Sequence, residues 1–484
     1  MAKKTDYTQG SIAATMLKTA VAMLASTLAM SGYNIVDTYF VGHIPGDEGP
    51  LAAMGFTFPV VMFIGCIFHG FGTGCMATMA HAVGQKDMKG AAQLVTSGLI
   101  TLVFMSLFLA ILGIFTADFA FGKMGAHGTT LLLVKQYMNV WFLGCVTSAV
   151  GMEGNKILIA GGYPRISSAM TILGMLINTI LDPFMIFGGE TCHRHILLHT
   201  WEWTHPLFNL LLKPLYFLTA RGIQGAAIAT VISQAISAVV IAFFLYKAQL
   251  IMSPETTRNY FKKTFNITKY AVPAILGMLL FPISNYIVTW VTAQFGDAVV
   301  AGFSAANKLE GVAFVFPMAF GITLMPIIAQ NYGAGLYSRV RFCFKFAATV
   351  AFCFLTTINV LLFFFGHHLA PFISNIPSVQ EVICLYFKII PFGFALLKIT
   401  RFCGFTMVGC GHPMLDTTFK TIRIACILIP CILITHFTNW QYGIYFSRLA
   451  TDVLGGILCI FGALYILRKL PKEDKLAIAN SQKG

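Results

Sequence analysis

The chain has 484 residues, of which 57% are hydrophobic and only 10% charged, with a mean hydropathy of +0.77. Soluble domains carry about 25% charged residues, so a water-soluble fold is excluded and a multi-span membrane protein remains. The net charge of +14 does not signal nucleic acid, because there is no polybasic run and the basic residues gather at the ends of alternate apolar segments.

Those segments are continuous for about 20 residues or more, which is a helical rather than a barrel pattern. An N-terminal arm, 1–14, is followed by an apolar run that could pass for a signal peptide. Its polar residues belong to a repeat, so it reads as a retained first helix. Six spans are predicted near 15–40, 52–80, 91–116, 131–153, 166–187 and 222–246. A polar, basic linker at 247–267 leads to six more, near 268–294, 299–328, 341–366, 381–405, 417–437 and 442–467. A tail, 468–484, follows.

The two sets are copies. Lys18, Ala20 and Asn34 return 251 residues later as Lys269, Ala271 and Asn285. Phe71, Gly72, Gly84, Tyr137, Gly144, Gly162 and Pro164 return 249 later as Phe320, Gly321, Gly333, Tyr386, Gly393, Gly411 and Pro413. Six spans per copy is an even number, so both halves enter from the same side. The expected fold is an all-α integral membrane protein of twelve helices, a parallel repeat about an axis along the membrane normal. Lys86, Lys89, Arg165, Lys247, Lys262, Arg339, Arg341, Lys420, Arg468 and Lys469 fall on one side with the arm and tail, so both termini are expected in the cytoplasm.

One segment breaks the duplication. The connection at 188–221, expected outside, opens ETCHRHILLHTWEWTHP, whereas its counterpart is a few residues long. Its spacing matches no standard zinc pattern, so His193, His195 and His199 are weak metal candidates and a surface loop is the plainer reading. The following LFNLLLKPLYFL is too short to span and reads as lying flat on the outer leaflet, with Trp201 and Trp203 as interface anchors. The twelve cysteines lie mostly inside spans and form no CxxC pair, so they read as small packing residues.

A charged side chain at bilayer depth costs roughly 2.5–3.5 kcal/mol on insertion scales, which makes it a functional candidate. The first copy has Asp37 near the outer end of span one, and Asn178 and Asp182 four apart on one face of span five. Thr230, Ser233 and Gln234 lie in span six. These are hard oxygen ligands, suited to Na⁺ or a shared proton. The competing reading is that the two acids cap helix ends or pair with interfacial bases; Pro183 after Asp182 makes a helix-end role credible. The second copy places Val288, Ile427 and Cys431 opposite Asp37, Asn178 and Asp182. It carries instead Lys308 and Glu310 in span eight, Lys398 and Arg401 in span ten, and Arg448 and Asp452 in span twelve. Arg448 and Asp452 are four apart and read as a helix-face ion pair. Asn34, Gln234, Glu310 and Asp452 are also candidates for polar groups lining a substrate cleft. His69 reads as a packing histidine. Pro59, Pro273, Pro282, Pro317, Pro326 and Pro391 mark bends within spans.

The sequence GYNIVDTYFVG in span one, LAAMGFTFP opening span two, AGGYPR and GCGHP after spans four and ten, NTILDPFMIFG in span five and GAAIATVISQ in span six, in this order, resemble the multidrug and toxin extrusion (MATE) family, most closely its DinF-like branch. The resemblance covers nearly the whole chain except 188–221. It implies two six-helix lobes in a V, 15–246 and 268–467, whose cleft opens alternately to either side. It also implies an antiporter that exports lipophilic or cationic organic compounds in exchange for Na⁺ or H⁺. On that resemblance the coupling site is Asp37, Asn178, Asp182 and Thr230. Two departures stand out: Ala22 occupies the place of a proline often found early in span one, and Glu153, with Lys156 close by, replaces a basic residue usual in span four.

The alternative is a flippase for lipid-linked sugars of the same superfamily, kept open by Lys308, Lys398, Arg401 and Arg448. No HExxH, GxSxG or P-loop motif occurs, so an enzyme is not expected. The chain is expected in the plasma (inner) membrane as a monomer, with lipid and a small organic substrate as partners, no cofactor beyond the coupling ion, and no nucleic acid.

Overall fold

The computed structural model describes residues 4–44, 49–192, 215, 217–252, 259–472 and 474, without the side chains of Ser31, Tyr33, Asn34 and Ile35. Among these residues the fold is all helical. Every predicted span is helical to within one residue at its ends, some as one helix and others as broken ones, and several helices run further: span two is Gly49–Gly84 and span nine Tyr337–Ile373. Apolar composition marks only the hydrocarbon layer, whereas helices of 36 and 37 residues continue into the interfaces on either side.

Among the described residues, eleven helical stretches are long and apolar enough to cross a bilayer. The remaining predicted span, the fourth, is two 16-residue helices, Gly128–Leu143 and Cys145–Ala160, meeting at Gly144. A Cβ at Gly144 would stand 2.2 Å from the Val231 side chain of span six, so only glycine lets the helices approach this closely. Its repeat partner Gly393 ends a 3₁₀ turn, Ile390–Gly393, that divides span ten between Pro377–Ile389 and Phe394–Gly409. The duplication thus preserves a break as well as a spacing.

Spans one and seven cross between lobes. Tyr7, Met16 and Ala20 pack in a core with Phe320, Leu324 and Phe402 of the second copy. Reciprocally Ile267 and Ala271, the repeat counterparts of Met16 and Ala20, pack in a core with Phe71, Cys75 and Cys145 of the first. At the end of the molecule that carries the N-terminal arm, the seam between lobes is two-fold in its detail. His81 Nε2 lies 2.6 Å from the Gly409 carbonyl oxygen, and Gln330 Nε2 donates to the Ala160 carbonyl at 2.6 Å. His81 and Gln330 are repeat partners, as are Ala160 and Gly409, each pair 249 residues apart. A Cβ on Gly84 would come within 2.0 Å of the Gln330 oxygen, and one on Gly333 within 2.4 Å of the His81 oxygen.

The arm itself clasps both lobes. Tyr7, 1% exposed, donates its hydroxyl to the Ile159 carbonyl of the first lobe at 3.0 Å. Asn331 of the second lobe donates to the Tyr7 carbonyl at 3.0 Å, and Arg339 reaches the carbonyls of Tyr7, Gln9 and Gly10. Among the described residues, inter-lobe hydrogen bonds lie in the arm-end half or at mid-span, as with Cys66 and Met278. The lobes are joined at one end and part toward the other, which is the V.

Candidate functional site

Spans one, five and six pack together in the first lobe. Span five, Pro164–Phe187, turns Asn178 and Asp182 inward on one face, where both are 0% exposed. Span six adds Thr230, and Asp37 arrives from span one, at 4% and 7% exposed. Asn178 Nδ2 donates to Asp182 Oδ1 at 3.1 Å and to Thr230 Oγ1 at 3.4 Å. The two carboxylates are close enough to act on each other electrostatically.

The notable feature is a shortage of donors. Asp37 Oδ1, Asn178 Oδ1 and Asp182 Oδ2 are buried and accept no hydrogen bond. Such groups cost about 1–3 kcal/mol each, more when charged, and call for a proton or a cation. Pro183 adds to the excess of acceptors, since it has no N–H to give the Thr179 carbonyl one turn back. Both alternatives to a ligand site are corrected here. Asp37 lies well inside the helix Ile12–Gly42 and caps nothing. Asp182 likewise sits before the last turn, and among the described residues neither acid forms an ion pair.

The other polar candidates are placed elsewhere. Gln234 accepts from the Ser148 hydroxyl and so ties span six to span four. The Asn34 side chain and His193, His195, His199, Trp201 and Trp203 lie outside the described residues.

Glu310 and Asp452, 6% and 1% exposed, are held in an ion-pair network inside the second lobe. The expected Arg448–Asp452 pair is the weaker of its links, at 3.8 Å. Arg448 instead grips both oxygens of Glu310, at 2.8 and 3.0 Å, and Asp452 pairs with Arg423 at 2.6 Å. A single nitrogen, Nη2, serves both Glu310 oxygens, while Nη1 donates to Asn307 Oδ1 at 2.8 Å. Tyr386 also donates to Glu310. Arg423 reaches the network because it opens a π-helical turn, Arg423–Leu428, that sequence pattern did not reveal.

Comparison with known proteins fits this architecture. The MatE family model matches twice, over 22–184 and 273–434, once per copy. The FAD transporter of Shewanella oneidensis is 26% identical over 92% of this chain and 93% of its own. The multidrug export protein MepA of Staphylococcus aureus is 22% identical over 96% and 95%. A crystal structure of the Vibrio cholerae MATE transporter VcmN in the bent form superposes with a TM-score of 0.83 at 24% identity, covering 94% of this chain and 97% of that one. A Pyrococcus furiosus transporter of the MOP superfamily, described as having a binding pocket of reverse polarity, gives 0.84 at 19% identity over 97% and 100%. With both copies matched and the two-lobed fold shared, the chain belongs to the MatE family of multi-pass membrane transporters, and it is not an enzyme.

Proposed function

We propose that this protein is a secondary antiporter that exports small organic molecules in exchange for Na⁺ or H⁺, with the ion held by Asp37, Asn178, Asp182 and Thr230 in the first lobe. One observation carries the reading: three buried oxygens of these residues, Asp37 Oδ1, Asn178 Oδ1 and Asp182 Oδ2, accept no hydrogen bond. A cation or proton supplies what they lack. Binding it favours one arrangement of the lobes and binding substrate favours another, so a gradient drives export. The motifs around Asp37 and Asp182 support a place in the DinF-like branch.

Alternating access follows from the seam. The arm end is closed in this structure, so its counterpart state opens there and closes toward the loop end. The excess of Lys and Arg on the arm side supports a cytoplasmic position for both termini and a plasma-membrane location. The lobes divide as 15–246 and 268–467, with 247–267 as the linker, and each lobe draws its first span's start from the other's core. The chain is taken to act as a monomer. Lipophilic drugs and, from the likeness to the Shewanella protein, FAD are the substrates to test.

The test is efflux from proteoliposomes under imposed Na⁺ or H⁺ gradients. Asp37→Asn and Asp182→Asn should reduce gradient-driven transport to the level of empty vesicles, with normal insertion and unchanged elution from a sizing column. Full transport by either correctly inserted variant would sink the assignment.

A further inference from the structure

The second lobe holds a buried base that pairs with no acid among the described residues. Around Glu310 and Asp452 it sets three bases: Arg448, Arg423 and Lys398. The two arginines take the two carboxylates. Lys398 is left over, 7% exposed and without an ion pair among the described residues. Its ammonium stands 3.7 Å from the centroid of the Phe314 ring, at the break between the two helices of span eight. A cation over an aromatic face gains about 2 kcal/mol when desolvated. That falls short of the several kcal/mol lost on taking an ion out of water.

Arg401 lies one turn along the same helix and is exposed. Lys308, in span eight nearly two turns before its break, is also exposed. Both lie within predicted spans, where a charge facing lipid is costly, so an orientation toward the cleft between the lobes is the favoured one. Arg401 also acts electrostatically on His69 of the first lobe, which puts it at the inter-lobe seam. The second lobe thus carries Arg401 and Lys308 exposed, with Phe405 beside Arg401, and Lys398 buried against the Phe314 ring.

We propose that Lys398 and Arg401 are specificity-determining residues that bind the anionic part of the substrate, and that the substrate class is an aromatic or apolar organic molecule bearing phosphate. The pair supplies the charge, Arg401 offers the planar fork that phosphate oxygens accept from, and the adjoining rings take the apolar part. This deepens the antiporter reading by naming what crosses, and it sets aside the cationic compounds that the family resemblance implied. Phosphate of this kind comes from a soluble nucleotide-like molecule or from a lipid diphosphate headgroup.

Equilibrium binding to the purified full-length protein tests the idea without any ion gradient, so its failure is separable from failure of the coupling site. FAD is the anionic probe, read by flavin fluorescence, and ethidium the cationic one. Wild type is expected to bind FAD. Lys398→Gln and Arg401→Gln are each expected to weaken FAD by at least about tenfold, as removal of one side of a charge pair does, and to leave ethidium unchanged or tighter. Lys398→Arg, which keeps the charge, should retain most of the FAD affinity and serves if the glutamine variant fails to fold. Lys308→Gln, on the surface of the cleft, should show a smaller loss of the same sign. Displacement of FAD by a polyprenyl diphosphate but not by ADP points to the lipid source, and the reverse to the soluble one. FAD binding unaffected by both glutamine substitutions, or a wild type that binds ethidium and not FAD, overturns the proposal.

Discussion

The two lobes are copies in outline and opposites in charge. The first buries Asp37 and Asp182 with oxygens that accept nothing. The second buries Lys398, which pairs with no acid among the described residues. Where the lobes agree, Gly84 and Gly333 admit the opposite helix, and the side chains at the paired positions His81 and Gln330 reach across to matching carbonyls. Where they differ, several of the residues are ionisable. Symmetry serves the seam, and its loss sets the proposed ion site in one lobe apart from the proposed substrate-binding residues in the other.

That division can be broken at several points. The largest effect is expected from Asp182→Asn. Transport driven by an imposed gradient should fall to background while FAD or ethidium affinity stays within about threefold of wild type, since the carboxylate lies in the other lobe; equal loss of both would mean a single shared site. Next comes Arg448→Ala, which leaves Glu310 buried without its guanidinium. A loss of about 3–5 kcal/mol is expected, read as a lowered thermal unfolding midpoint, and the double variant Arg448→Met/Glu310→Leu should recover most of it.

A smaller change tests the seam. Gly84→Ala and Gly333→Ala each force a Cβ against a facing backbone oxygen. Each should cost about 1–3 kcal/mol in the arm-end contact and raise the reactivity of a cysteine placed at Thr323 toward a water-soluble maleimide added at that end. Unequal responses from the two glycines would show that the seam is less symmetric in solution than its contacts suggest. The smallest effect is expected from Tyr7→Phe, which removes one hydrogen bond to Ile159, about 1 kcal/mol; the same maleimide assay would register a slight rise.

Much of this was legible in the sequence because a bilayer penalises polarity so heavily. Asp37, Asn178 and Asp182 stand out against apolar neighbours, and the spacing of four places two of them on one helix face. The twelve spans were visible for the same reason, although hydropathy could not show that Gly144 breaks the fourth. The second lobe resisted local reading. Arg448 pairs with Glu310 across 138 residues rather than with Asp452 four positions away, and Asp452 is met by Arg423 through a π-helical turn. Such pairings depend on how three helices meet, which no periodicity encodes. The clasp by Tyr7 was equally hidden, since one tyrosine in a polar arm carries no pattern.

That clasp has a consequence for how the protein is made. Tyr7 emerges from the ribosome early, yet Asn331, which holds its carbonyl, follows 324 residues later. The core that receives Met16 and Ala20 is likewise built from spans eight, nine, ten and twelve. During synthesis the first six spans must therefore reside in the membrane with the start of span one lacking its final neighbours. Closure of the arm end is a late event, and a polypeptide stopped after the linker would hold Asp37, Asn178, Asp182 and Thr230 but lack the partners that close the arm end.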